Sequence, residues 1–380
     1  MTAVSITPKT SNELGILNVS DQHTLHPRTP TRLTLRSMSE LFCRPKWLAR
    51  EVDLALFSGD FYDGPGDLPD TNVLLTQAWI SSWLIECRNA NVILRVLEGT
   101  PSHDNGQSKM FEVLNEGIGA NLRYITEISI EYIEQLGIHV LYIPDEQGTG
   151  DEVWAEVQRQ LSLHGLEKVD YAVMHGLFDF HLPAHVVDPK AHLRYRYESI
   201  VRRWVFIGHH HTHRVEGRII TPGSVQRNKH GEEEDKGAVF VRDRLARDPQ
   251  RGDVQFLRNK LAKEYRTFQT HDRTVREVAA TIAAANLPTG SSIRLMGESF
   301  DPAMQAIKEL QIEFPGHDWQ KETTATRRAM ETKIDDLQFT YTQIQLTKEN
   351  IPTLLLERAA KRGQTPERLA LAQRLLEEIL

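Results

Sequence analysis

A chain of 380 residues has room for two or three domains with a substantial core. Its 45 Lys and Arg against 52 Asp and Glu leave a formal charge of −7 at pH 7, which excludes non-specific attraction to nucleic acid over the whole surface but allows a local basic groove. Cys43 and Cys87 lack metal-type or redox-type spacing and read as buried, reduced thiols of a cytoplasmic protein. No secretion signal opens the chain, and no apolar run is long enough to span a bilayer.

From residue 14 to 260, short apolar strands alternate with amphipathic helices. The strand candidates are LGILNVS, VDLALFS, VILRVLE, GIHVLYIP, DYAVMH, WVFIG, GRIITP and GAVFVRD. The helix candidates include TNVLLTQAWISSWLIECRN and DEVWAEVQRQLSLHG. This alternation, ending in closely spaced strands, predicts a layered α/β or α+β domain. Trp79 and Trp83, on one helix face, read as core or subunit contact rather than a ligand platform.

A second unit begins near residue 262, with strand EYRTFQT, helix DRTVREVAATIAAAN, turn LPTG, strand SSIRLMGES and helix FDPAMQAIKELQIEF. From about Gln343 two short helices follow. The second has Thr365 as N-cap, Pro366 at its first position, and a stripe of Leu369, Ala372, Leu376 and Ile379. The run GEEEDKG (231–237) reads as a solvated loop.

Five strands end in acidic or histidine residues. The first leads to Asp21 and His23, the second to Asp60 and Asp63, and the third to Ser102, His103 and Asp104. DYAVMH ends on His175, and WVFIG leads into His209, His210, His211 and His213. In an extended run His209, His211 and His213 share one side, so the tract can be half a metal site or a solvated loop. His175 alone could equally be a core histidine. Together these endings suit a pair of divalent metals clamping a phosphoryl group, with Asp60 the natural bridge. Mixed nitrogen and oxygen donors favour manganese, iron or zinc.

The order Asp-x-His, Gly-Asp-x-x-Asp, a Gly-to-His-Asp loop, His-Gly and Gly-His-x-His resembles the calcineurin-like metallophosphoesterase superfamily over roughly the first 240 residues. Within it, EGTPSHD, LYIPDE, TPGSVQR and DKGAVFV look most like the SbcD nuclease subunits, counterparts of the meiotic recombination eleven protein. The resemblance implies a four-layer αββα sandwich over 1–261, a small α/β capping domain over 262–342, and a C-terminal helix-loop-helix over 343–380. It implies two divalent ions, with manganese the best fit. Asp21, His23, Asp60 and His211 would hold one, and Asp60, His175 and His209 the other. His103 would protonate the leaving oxygen, with Asp104 orienting it and Asp63 in support. His210 and His213 would be bystanders.

Ser102 stands where the family usually has an Asn whose carbonyl binds the second metal. The longer loop leaves Thr100 or a backbone carbonyl as other donors. The activity implied is a DNA exonuclease and endonuclease for break repair and recombination. Its partners would be DNA, a separate SbcC-type ATPase docked on the C-terminal helices, and a second copy of the chain, with no membrane. No Gly-x-x-x-x-Gly-Lys-Ser/Thr loop is present to make this chain the motor. Arg194, Arg196, Arg202, Arg203 and Arg227 are candidate backbone contacts. The alternatives are a phosphoesterase for small molecules or phosphoproteins, and a DNA-end tether with a weakened site.

Overall fold

The computed structural model describes residues 12–145, 147–182 and 186–324. The helices expected after residue 343, and the end of the capping module, lie outside the described residues. The chain opens with β1 (Glu13–Val19), α1 (Thr31–Leu41), α2 (Pro45–Glu51), β2 (Leu54–Ser58), α3 (Thr71–Ala90), β3 (Ile93–Leu97), α4 (Met110–Asn115) and β4 (Leu122–Ile125). It crosses to a second sheet with β5 (Ser129–Ile133), β6 (Ile138–Ile143), α5 (Gly150–Leu163), β7 (Tyr171–His175), α6 (Arg194–Ile200), β8 (Val205–Gly208), β9 (Arg214–Glu216) and β10 (Ile219–Thr221). It returns with β11 (Gly237–Arg244) and β12 (Val254–Arg258).

The first sheet runs β12-β11-β1-β2-β3-β4 and the second β5-β6-β7-β8-β10-β9. Strands β1 to β4 are parallel, as are β6, β7, β8 and β10. Strands β2, β3, β7 and β8 are buried throughout, as central parallel strands covered on both faces must be. One core packs α1 to α4 against the first sheet. A second fills the space between the sheets, and a third packs α5 and α6 on the second sheet's outer face. The result is the expected αββα sandwich. Tyr171 Oη ties it across the layers by donating to the Asp243 carboxylate at 2.6 Å.

Helix α3 starts at Asp70, whose side chain accepts from the Asn72 amide, and stops at Asn91 in the left-handed conformation. Trp79 and Trp83 stack with centroids 6.2 Å apart and pack beside Phe42 and Phe57, so the pair is core. Of the two thiols, Cys87 is buried but Cys43 only partly so. No described helix is long and apolar enough to cross a membrane.

The remaining described residues form β13 (Tyr265–Gln269), α7 (Val275–Ala284), β14 (Ser292–Gly297), α8 (Pro302–Gln305), α9 (Ile307–Glu313) and β15 (Asp318–Thr323), a parallel sheet with a core of its own. Two features differ from the sequence reading. The helix expected over 300–314 breaks at Ala306, whose ψ of 18° leaves the helical range. Strand β15, DWQKET, has no apolar alternation to announce it. The run 231–237 is also not simply a solvated loop, because Glu232 and Lys236 are buried.

Candidate metal centre

Parallel strands end together, and in open α/β sheets ligands gather at their carboxyl ends. Here the register sets Val19 beside Phe57, Ser58 beside Leu97, and His175 beside Gly208. The loops after β1, β2, β3, β7 and β8 therefore leave from one edge. Asp21, His23, Asp60 and His209 all have positive φ, at 50°, 46°, 53° and 87°. Such strain in non-glycine residues persists only where the surroundings over-determine it. Bonds from the Asp21 amide to the Gly59 carbonyl and from the His23 amide to the Asp60 carbonyl, both 3.1 Å, hold the first two loops side by side.

Asp21, His23 and His211 offer donor atoms close enough to share an ion, and Asp60, His175 and His209 do the same. His23, Asp60 and His103 form a third such group overlapping the first. Six of the seven residues expected to bind metal thus fall in these groups, and Ser102 does not. His23 Nδ1 lies 2.9 Å from Asp63 Oδ1, and His211 Nδ1 lies 2.8 Å from Glu232 Oε1. With those nitrogens turned to carboxylates, the two Nε2 atoms face each other at 3.1 Å. In neutral rings protonated at Nδ1 both Nε2 atoms carry lone pairs, and lone pairs converging beside Asp21 suit a cation between them. His175 Nδ1 is likewise 2.6 Å from the Ser58 carbonyl, which leaves its Nε2 facing Asp60 Oδ2 at 3.3 Å.

The electrostatics fit this donor set. Burial opposes ionisation of Asp60, but His175 and His23 outweigh it and hold the carboxyl well below the usual range. Burial likewise works to lower the His175 imidazole, yet the Asp60 carboxylate raises it well above its ordinary value. His209 is lowered by burial and by His175, while its amide donates to both oxygens of Asp21 at 3.1 Å. Nitrogen and carboxylate donors in this mixture suit a borderline divalent ion.

Around this centre several expectations change. Ser102 is exposed on the turn after β3, and Thr100 takes the inward place instead. The Thr100 hydroxyl lies 3.3 Å from His209 Nδ1 and 3.4 Å from His175 Nε2. Asp104 does not orient His103. Its carboxylate is taken up by the amides of Asp60, Tyr62 and Gly99 at 3.1, 2.9 and 2.8 Å, so it shapes the Asp60 loop. The carboxylate facing His103 is Asp63, 3.6 Å away. His210 stacks on His181 and His213 on Phe256, both away from the donor groups.

Two residues were missed. Asp145, after β6, places Oδ2 3.8 Å from His209 Nδ1, and Glu232 orients His211. Asp145 ends a parallel strand like the residues that were found, so LYIPDE held a signal. Glu232 held none. The five arginines expected to meet a nucleic-acid backbone are each ion-paired: Arg194 with Glu198 and Glu216, Arg196 with Asp151, Arg202 with Asp170, Arg203 with Asp243, and Arg227 with Glu264.

No family model matches the chain, and no curated protein matches it. Among the solved structures that match, one aligns over 65% of this chain and 100% of its own, at 12% identity and a TM-score of 0.39. A likeness that slight carries no argument, and the centre rests on its own geometry.

Proposed function

We propose that this protein is a metal-dependent phosphodiesterase acting on DNA, an SbcD-like nuclease subunit working in the cytoplasm with two divalent ions, manganese fitting best. The observation that carries the reading is Asp60, which offers a donor atom both to the group with His175 and His209 and to the group with His23 and His103, while His23 in turn belongs to the group with Asp21 and His211. Such ions, when bound, neutralise charge developing on a phosphoryl group and lower the pKa of water.

The chain's own residues supply the rest. His175, His209, His211 and His23 point nitrogen donors inward, three of them with the opposite nitrogen turned to an oxygen. His103 stands beside His23, ring centroids 4.9 Å apart, and is more exposed than the buried donors. From there it can hand a proton to a departing sugar oxygen, a task suited to imidazole near neutral pH. Asp63 Oδ1 lies 2.9 Å from His23 Nδ1 and 3.6 Å from His103 Nδ1, so its charge faces both rings.

A second reading, hydrolysis of small phosphoesters, gains from the ion pairing of all five nominated arginines. Plain and end-blocked duplex DNA and a chromogenic phosphodiester, each with and without manganese, separate the two. Degradation of DNA supports the nuclease. Turnover of the small ester alone overturns it in favour of the second reading, and no turnover of either rejects both. For the residues after 343 we propose docking on the coiled coil of an SbcC-type ATPase. A chain ending near residue 342 should keep manganese-dependent activity and fail to co-purify with that subunit.

A further inference from the structure

Near the second donor group, two carboxylates turn toward one hydroxyl. Thr100 is tied to Asp60 by its amide, which donates to Oδ1 at 2.6 Å. Its Oγ1 then lies 3.3 Å from Asp60 Oδ2 and 2.9 Å from Asp145 Oδ2. The same oxygen is 3.4 Å from His175 Nε2 and 3.3 Å from His209 Nδ1. One hydroxyl has one proton, so it cannot donate to both carboxylates at once. The shorter contact directs that proton to Asp145, and the oxygen lone pairs then face Asp60, His175 and His209.

The spacings have a second meaning. Donor atoms each about 2.0–2.2 Å from one cation sit roughly 3.0–3.5 Å from their neighbours in octahedral or tetrahedral arrangements. Thr100 Oγ1 falls in that range from all three expected donors of the second ion. Ser102, exposed on the turn, has no such relation. Two carboxylates converging on one small space also favour either a bound cation or an extra proton.

We propose that Thr100 and Asp145 complete the second metal site. Thr100 supplies its neutral oxygen while its hydroxyl donates a hydrogen bond to Asp145, whose carboxylate places a second negative charge near the ion. The proposal rests on the dinuclear reading above and deepens it. It gives the second site a second carboxylate, as Asp145 Oδ2 lies 2.9 Å from Thr100 Oγ1 and 3.8 Å from His209 Nδ1. The second ion should then be held through Thr100 and the charge of Asp145 behind it, not only through Asp60, His175 and His209.

The test is manganese titration calorimetry on the full chain, with bound metal counted after gel filtration and thermal melting followed in parallel. The wild-type chain is expected to bind two ions. Thr100→Val and Asp145→Asn should each weaken one of them by about tenfold or more and leave the other unchanged. Thr100→Ser should restore wild-type binding, and Ser102→Ala should bind like wild type. If Thr100→Val and Asp145→Asn melt lower yet hold both ions with wild-type affinity, the two residues only brace the loop and the proposal fails. If the wild-type chain binds two ions and Ser102→Ala loses one, Ser102 is the donor and the proposal fails while the dinuclear reading stands. If the wild-type chain binds no manganese, both fall together. Should a variant fail to fold, the Thr100→Ser and Ser102→Ala pair still decides which hydroxyl serves.

Discussion

His103 and His175 are both histidines of the same edge, yet their surroundings give them different work. His175 is buried, with Nδ1 on the Ser58 carbonyl and Nε2 on Asp60, so its one remaining nitrogen is committed to the centre. His175→Ala should abolish the proposed phosphodiesterase activity and reduce the manganese taken up per chain, as elemental analysis of the folded variant would read. Unchanged metal content would remove His175 from the donor set. His103 is half-exposed, and its Nδ1 faces Asp63 across 3.6 Å. For His103→Ala we expect metal content to stay and turnover to fall by about 10²–10⁴, the usual worth of a positioned general acid. Loss of metal would make His103 a donor, which its place in the third group with His23 and Asp60 permits.

At the scale of elements, the centre depends on how closely the ends of β2, β7 and β8 approach. Gly208 closes β8, and a Cβ there would lie 2.2 Å from the Ser58 carbonyl oxygen and 2.8 Å from His175 Nδ1. Neither neighbour can yield, since one is backbone and the other is held by it. Gly208→Ala should therefore cost about 1–3 kcal/mol by forcing the two sheets apart at their edge. Thermal melting gives the stability loss, and manganese titration should show weaker binding with all donors still present. A variant that melts like wild type would mean the sheet ends are looser than this packing describes.

The sandwich as a whole is clamped at its far edge by Arg95 of β3 and Glu131 of β5, one strand from each sheet. Arg95 Nη2 and Nε donate to the two Glu131 oxygens at 2.7 and 2.8 Å, and Tyr142 adds a third bond at 2.9 Å. Burial opposes the charge on Glu131, but Arg95 outweighs it and lowers the carboxyl below its ordinary value of 4.5. A depressed folded value means this stabilisation is complete above 4.5 and fades as pH falls below it through the folded value. Glu131→Gln should thus cost roughly 3 kcal/mol near neutral pH, leaving Arg95 buried without its partner. In denaturant titrations the gap to wild type should narrow below pH 4.5. A gap constant with pH would show that shape, not charge, is lost.

The capping module is joined to the sandwich by similar means. Arg227, 4% exposed, pairs with Glu264 at 3.0 Å, and Arg266 with Glu233 at 3.0 Å. Arg227→Ala strips a buried partner and should cost about 3–5 kcal/mol, chiefly at this junction. Limited proteolysis should then cut near residues 259–264 before the sandwich unfolds. Equal protection in wild type and variant would assign Arg227 another task.

By itself the amino-acid sequence determined the ends of the strands. Apolar runs closing on Asp21, His23, Asp60, His175 and His209 are local patterns, and parallel strands must deliver such ends to one edge. Elements with strong periodicity, such as α3, α5 and α7, were legible for the same reason, whereas β15 was not because its outward face and edge position demand no apolar alternation. Tertiary structure alone decided which neighbours each residue meets. His23 and His211 are 188 positions apart yet face each other at 3.1 Å, and no spacing along the chain encodes that distance. Glu232 looked like part of a solvated acidic run until the fold buried it against His211. The five arginines looked like free cations until carboxylates from distant elements met them. Thr100 and Ser102 are both hydroxyls two residues apart, and only the bond from the Thr100 amide to Asp60 turns one inward while the other stays in solvent.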